Sequence, residues 1–178
     1  MRKIFVVVII LISLAVNPVY GIVNPESLDS LMEKKQERIE QKQEIRNQNK
    51  IKIAEKVNNQ LKQINQKSTE AIDRHLTRIQ ALLEKVAEWK DKFKAKGKDV
   101  ALAEDAINTC QTAIDDAKKA NDEQKTKIYA IEYTDENNLK IGANTAKTNL
   151  KADLKTVREK VQLARQKLVE AIKKLKTL

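Results

Sequence analysis

The sequence predicts an all-α fold, an antiparallel three-helix coiled-coil-like bundle with a long N-terminal helical extension, and three observations carry that expectation. Charged residues make up 34% of the chain and aromatic residues 3%, a composition that suits long helices and excludes a large aromatic core. Apolar residues recur at steps of three and four through most of the chain, which is the period of a helix with one buried face. Gly97 stands alone between two such runs, where a helix needs a residue that tolerates the left-handed conformation.

The first element is a leader. MRKIFVVVIILISLAVNPVYG sets Arg2 and Lys3 before an apolar run from Ile4 to Val16, then Pro18 and the small or short residues Val19 and Gly21. This is the pattern of a Sec-type signal peptide, with cleavage expected after Gly21. An uncleaved membrane anchor is the weaker reading, because the apolar run is shorter than the roughly 18 residues a spanning helix needs. The chain is formally +10, and loss of Arg2 and Lys3 lowers this by two, so the exported remainder still attracts polyanions.

After the leader (1–21) a polar helical stem (22–65) and the bundle (66–178) are expected. Asn24-Pro25-Glu26 is a helix start, with an N-cap, a proline whose missing N–H costs nothing, and an acid facing the positive end of the helix dipole. EKKQERIEQKQEIRNQNK, Glu33 to Lys50, has only Ile39 and Ile45 as apolar members, too few for a continuous buried stripe. A stem this thinly anchored is a candidate for self-association between chains.

The first seam runs through Val57, Leu61, Ile64, Ser68, Ile72, Leu76, Ile79, Leu83, Val86 and Phe93. It ends at Gly97, read as the left-handed residue closing the helix, and Asp99 is placed as N-cap of the next. Val100, Ala103, Ile107, Cys110, Ile114, Ala117, Asn121, Gln124, Ile128 and Ile131 form the second seam, with Asn121 as a register-setting polar position. Tyr133 to Asn149 is rich in Asn, Asp, Thr and Gly and reads as a turn region in which a helix restarts after Thr134. Leu150, Leu154, Val157, Val161, Ala164, Leu168, Ala171, Leu175 and Leu178 make the third seam. Short connections set these helices antiparallel.

The candidate functional feature is the tip of this hairpin. Lys90, Lys92, Lys94, Lys96 and Lys98 converge there beside Trp89 and Phe93, forming a candidate anion-binding end beside the hairpin turn of Gly97 and Asp99. The plainer reading is that these lysines only complement the helix dipole while Trp89 and Phe93 pack against the third helix.

Other chemistry finds little support. A single glycine between helices is not a phosphate-cradling loop. Cys110 and His75 are the only residues of their kinds, and folding about Gly97 separates them by on the order of 13 Å along the axis. Cys110 is therefore expected to be a buried, inert thiol. Asp115, Glu123 and Glu170 stand four residues before Lys119, Lys127 and Lys174 and read as surface ion pairs. No catalytic, metal or cofactor residues are assigned, and aromatic platforms for bases are too few for sequence-specific nucleic-acid binding.

The signal, the charged stem, the run RHLTRIQALLEKVAEWKDKFKAKGKDVALAEDAI and the closing basic helix together resemble a group of exported all-helical coiled-coil proteins from bacteria of small-genome candidate phyla, a group with no established activity to transfer. Leu76-Thr77-Arg78-Ile79-Gln80 also resembles the LTxxQ motif of the Spy and CpxP type of periplasmic helical proteins, although this chain carries it once. Export, basic charge and coiled helices are similar to the Skp chaperones too, without their β-rich body. The expectation is an extracytoplasmic, non-enzymatic interaction or scaffold protein whose partner is a protein or an anionic envelope surface or polymer; the alternative is an ATP-independent holdase.

Overall fold

The computed structural model describes residues 25–131 and 136–178. The leader and the Asn24 cap lie outside the described residues. Three helices follow in order, α1 (Pro25–Ala95), α2 (Ala101–Thr126) and α3 (Glu136–Lys176), and the protein is an all-α bundle. The chain divides into two units, 1–44 and 45–178. From Leu28 to Asn49 every side chain of α1 is exposed, as expected of a tract with too few apolar residues to bury a stripe. Burial begins at Ala54, and Leu61 and Asn65 are buried as well, all inside the segment expected to be stem.

Within residues 45–178 the core has two characters. Toward Gly97, Leu83 and Val86 of α1 meet Cys110 and Ile114 of α2 and Ala164, Leu168 and Ala171 of α3. Alanines at 113, 164 and 171 let the backbones approach closely, and each fully buried Leu or Ile stabilises the fold by roughly 1.5–3 kcal/mol. The middle is filled by Ile72, Leu76, Ala117 and Val157. At the opposite end, Leu61, Ile131, Ala146, Leu150 and Leu154 form a further apolar cluster, beneath a buried polar layer.

That layer corrects the first seam. Ile64 is 50% exposed while Asn65 and Thr69 are buried, so the inward face runs Leu61, Asn65, Thr69, Ile72. Asn65 turns inward because it finds partners there: its Nδ2 donates to the Gln124 carbonyl at 3.0 Å, and its Oδ1 accepts from Gln124 Nε2 at 2.8 Å. Asn121, fully buried, donates to the Thr69 carbonyl at 3.1 Å and to Asp73 Oδ1 at 2.7 Å, in keeping with its register-setting position. Buried amides paired this way penalise any slipped alignment, since a slip would leave them unsatisfied.

The second seam stops earlier than its period suggests. Thr126 is the last helical residue and Lys127 is extended, with ψ 133; Ile128 is consequently 87% exposed, whereas Ile131 is buried. Asn58 holds this extended segment, accepting from the Ile131 N–H at 2.8 Å and donating to its carbonyl at 3.2 Å. The helix expected to restart after Thr134 does so: α3 starts at Glu136 and takes in most of the Asn- and Thr-rich segment. Its Asn144, Thr145, Thr148 and Asn149 are exposed and make the solvent side of α3. Gly142 is there for packing: a Cβ at that position would lie 3.0 Å from Ile131 Cγ2.

Candidate anion-binding end

The hairpin turn forms as its residues require. Gly97 has φ 76, its N–H reaches the Lys94 carbonyl at 2.9 Å, and the Lys98 N–H reaches the Phe93 carbonyl at 3.1 Å. This pair of bonds is a Schellman cap, which satisfies carbonyls that the helix end leaves open. Asp99 Oδ1 accepts from the Ala101 N–H at 3.0 Å, so its carboxylate caps α2, although the N-cap position itself falls on Val100.

The tip lysines are not equivalent. Lys90 is turned toward the bundle, its side chain only 15% exposed, pairing with Asp91 at 2.9 Å and Glu104 of α2 at 4.0 Å. The Asp91 hydrogen bond raises its ammonium above the ordinary range, against the opposing effect of burial. Lys92 places Nζ 4.8 Å from the centre of the Trp89 ring, a cation–π contact. Lys94, Lys96 and Lys98 are exposed and make no ion pair among the described residues. Trp89 is 54% exposed, its ring 6.5 Å from that of Phe93. The expected burial of Trp89 against the third helix does not occur.

The up-down-up path of the chain adds cations that the sequence reading missed. α3 ends beside the start of α2, where Lys173 and Lys174 line a groove with Leu102 and Asp105. The last turn of α3 carries Lys173, Lys174 and Lys176, and none of these has an ion pair among the described residues. Glu170, expected to pair with Lys174, instead binds Lys167 at 2.9 Å. Two helix C-termini with basic last turns thus meet one helix N-terminus here, and the negative dipole ends favour just such lysines.

At the opposite end Lys125 and Lys127 are neutralised, while Lys62, Lys147 and Lys151 are exposed with no ion pair among the described residues. Lys125 pairs with Asp73 at 2.9 Å and Asp122 at 2.7 Å; its pKa is raised, by the Asp122 bond first and the Asp73 bond next. Lys127, expected to pair with Glu123, instead binds Asp153 at 3.0 Å, because α2 has ended and the extended chain carries it toward α3. The Tyr129 hydroxyl accepts from Gln124 Nε2 at 2.9 Å and donates to Asp153 Oδ2 at 2.6 Å. Burial and the Asp153 bond push the phenol up to about 12, and the Tyr129 and Lys127 bonds hold the Asp153 carboxyl below its ordinary value.

Cys110 is fully buried, and burial pushes its thiol up to about 11; His75 is exposed. Among the described residues no group of His, Cys, Asp and Glu side chains could hold a metal, and no helix is long and apolar enough to cross a membrane. In the LTRIQ segment Leu76 and Ile79 are buried, Thr77 Oγ1 donates to the Asp73 carbonyl at 2.9 Å, and Gln80 exchanges reciprocal amide bonds of 3.0 and 3.1 Å with Gln111 of α2. No protein-family model, curated protein or solved structure matches the chain.

Proposed function

We propose that this chain is an exported, non-enzymatic helical interaction protein of the cell envelope whose Gly97 end binds an anionic surface or polymer. The observation that carries the reading is a concentration of lysine: Lys94, Lys96, Lys98, Lys173, Lys174 and Lys176, from two converging helix C-termini, share one end of the bundle and make no ion pair among the described residues. Lysines needed only for helix capping require no such concentration. Export is supported by the leader sequence alone. The non-enzymatic part is supported by the sequestered Cys110 thiol and its separation from exposed His75.

Calorimetric titration of linear polyphosphate into the protein over a salt series tests this. Binding should weaken with salt, and K94Q/K96Q/K98Q should lower the log–log slope by about one per lysine removed. An unchanged slope would contradict the assignment of the site.

A second reading, the holdase, draws on a different observation. α1 exposes Leu28, Leu31, Met32, Ile39, Ile45, Ile51 and Ile53, apolar surface of the kind an unfolded client would cover. Suppression of aggregation of a reduced client protein, lost on changing Leu31 and Met32 to Ser, would support it; no suppression would remove it.

A further inference from the structure

We infer that the occupant of the Gly97 end is an anionic lipid bilayer, with Trp89 as the side chain that enters the interface; this rests on the anion-binding reading above and narrows it. Trp89, Lys92 and Phe93 are spaced i, i+3 and i+4 and therefore share one face of the last turns of α1, with Lys96 following in the turn, its N–H on the Phe93 carbonyl. The indole is 54% exposed and Leu102, at the start of α2, is 69% exposed. A soluble polyanion would neutralise the lysines and leave this apolar surface wet. A bilayer interface takes both, because an indole prefers the headgroup level and lysine stems lie along apolar surface with their ammonium groups at the phosphates. Lys92 already holds its ammonium over the indole, 4.8 Å from the ring centre, so cation and ring reach the interface together. The uncompensated charge of Lys94 and Lys98 and of the α3 terminus supplies the attraction, and screening by salt limits it to roughly a Debye length.

Trp89 is the only tryptophan, so its emission reports this end and no other, the leader included. The full chain is mixed with phosphatidylglycerol vesicles, with phosphatidylcholine vesicles and, separately, with linear polyphosphate. With the anionic vesicles alone, emission should shift to the blue and be quenched by brominated acyl chains. K92Q/K96Q, checked for retained helicity by circular dichroism, should bind those vesicles on the order of 25-fold more weakly, as roughly fivefold per lysine corresponds to about 1 kcal/mol each. Polyphosphate binding with Trp89 unmoved by vesicles would overturn the bilayer assignment and leave the anion-binding reading standing. Vesicle binding that is equal for the neutral lipid and leaves Trp89 unquenched would overturn it too, since the leader would then be the anchor. Binding to neither ligand would overturn both.

Discussion

Where α2 gives way to the extended segment, Lys125 and Lys127 are tied to Asp73, Asp122 and Asp153 above a buried layer of Asn65, Asn121 and Gln124. At the Gly97 end the interior is apolar, and Lys94, Lys96, Lys98, Lys173, Lys174 and Lys176 outside it are exposed and make no ion pair among the described residues. One end uses polar groups to define alignment, since buried amides tolerate only the register that pairs them. The other obtains stability from close-packed alanine, leucine and isoleucine and leaves its charge available. Lysine therefore means different things in different places, and what sets Lys125 and Lys127 apart from Lys94, Lys96 and Lys98 is an acid within ion-pair distance.

The comparison breaks most visibly through the cores. Leu83→Ala, in the apolar half, should cost about 3 kcal/mol through its cavity, read as a lowered denaturation midpoint with the slope retained. Asn65→Ala, in the polar half, should cost about 2 kcal/mol, because it removes two buried hydrogen bonds, one from Gln124 Nε2 and one to the Gln124 carbonyl, and leaves Gln124 Nε2 with Tyr129 alone. Were Asn65→Ala neutral while Leu83→Ala is costly, the polar layer would not set register. Gly97→Ala should cost only about 1 kcal/mol, since its new methyl group meets nothing within 4 Å and only the left-handed φ is penalised; polyphosphate affinity should be unchanged.

The smallest effect is the pH response of the polar end. Tyr129 holds its proton more tightly folded than unfolded, from an ordinary 10.0 to about 12, so its contribution is complete below pH 10 and lost as pH rises toward 12. Asp153 runs the other way: its pKa is lowered from 3.8, so its contribution is present above that value and lost as pH falls below it. Tyr129→Phe should flatten the alkaline loss measured by thermal unfolding; an alkaline loss of the same size in that variant would place its origin elsewhere.

Much of this was legible in the residues. Gly97 and Asp99 announce their turn because each supplies a local conformation or bond that needs no tertiary context. Cys110 and Asn121 fall on a seam whose threes and fours allow one solution. Ile64 against Asn65 was not legible, since both fit the helical period and hydrophobicity favours the wrong one; the decision comes from Gln124, which is distant in sequence. Ile128 extended a regular pattern past a helix end that no proline or glycine marks. Gly142 resembles a turn residue until Ile131 is seen against it. Lys173, Lys174 and Lys176 read as an ordinary basic helix end, and only the chain path brings them to the tip.

Anion binding at the Gly97 end meets its sharpest test in lysine acetylation footprinting of the full chain with and without linear polyphosphate, quantified residue by residue. Polyphosphate should protect Lys94, Lys96, Lys98, Lys173, Lys174 and Lys176 and leave Lys125 and Lys127 unchanged. Protection spread evenly along α1 and α3, with Lys125 and Lys127 shielded as strongly as the tip, would contradict it and make the positive charge of this protein a diffuse coat.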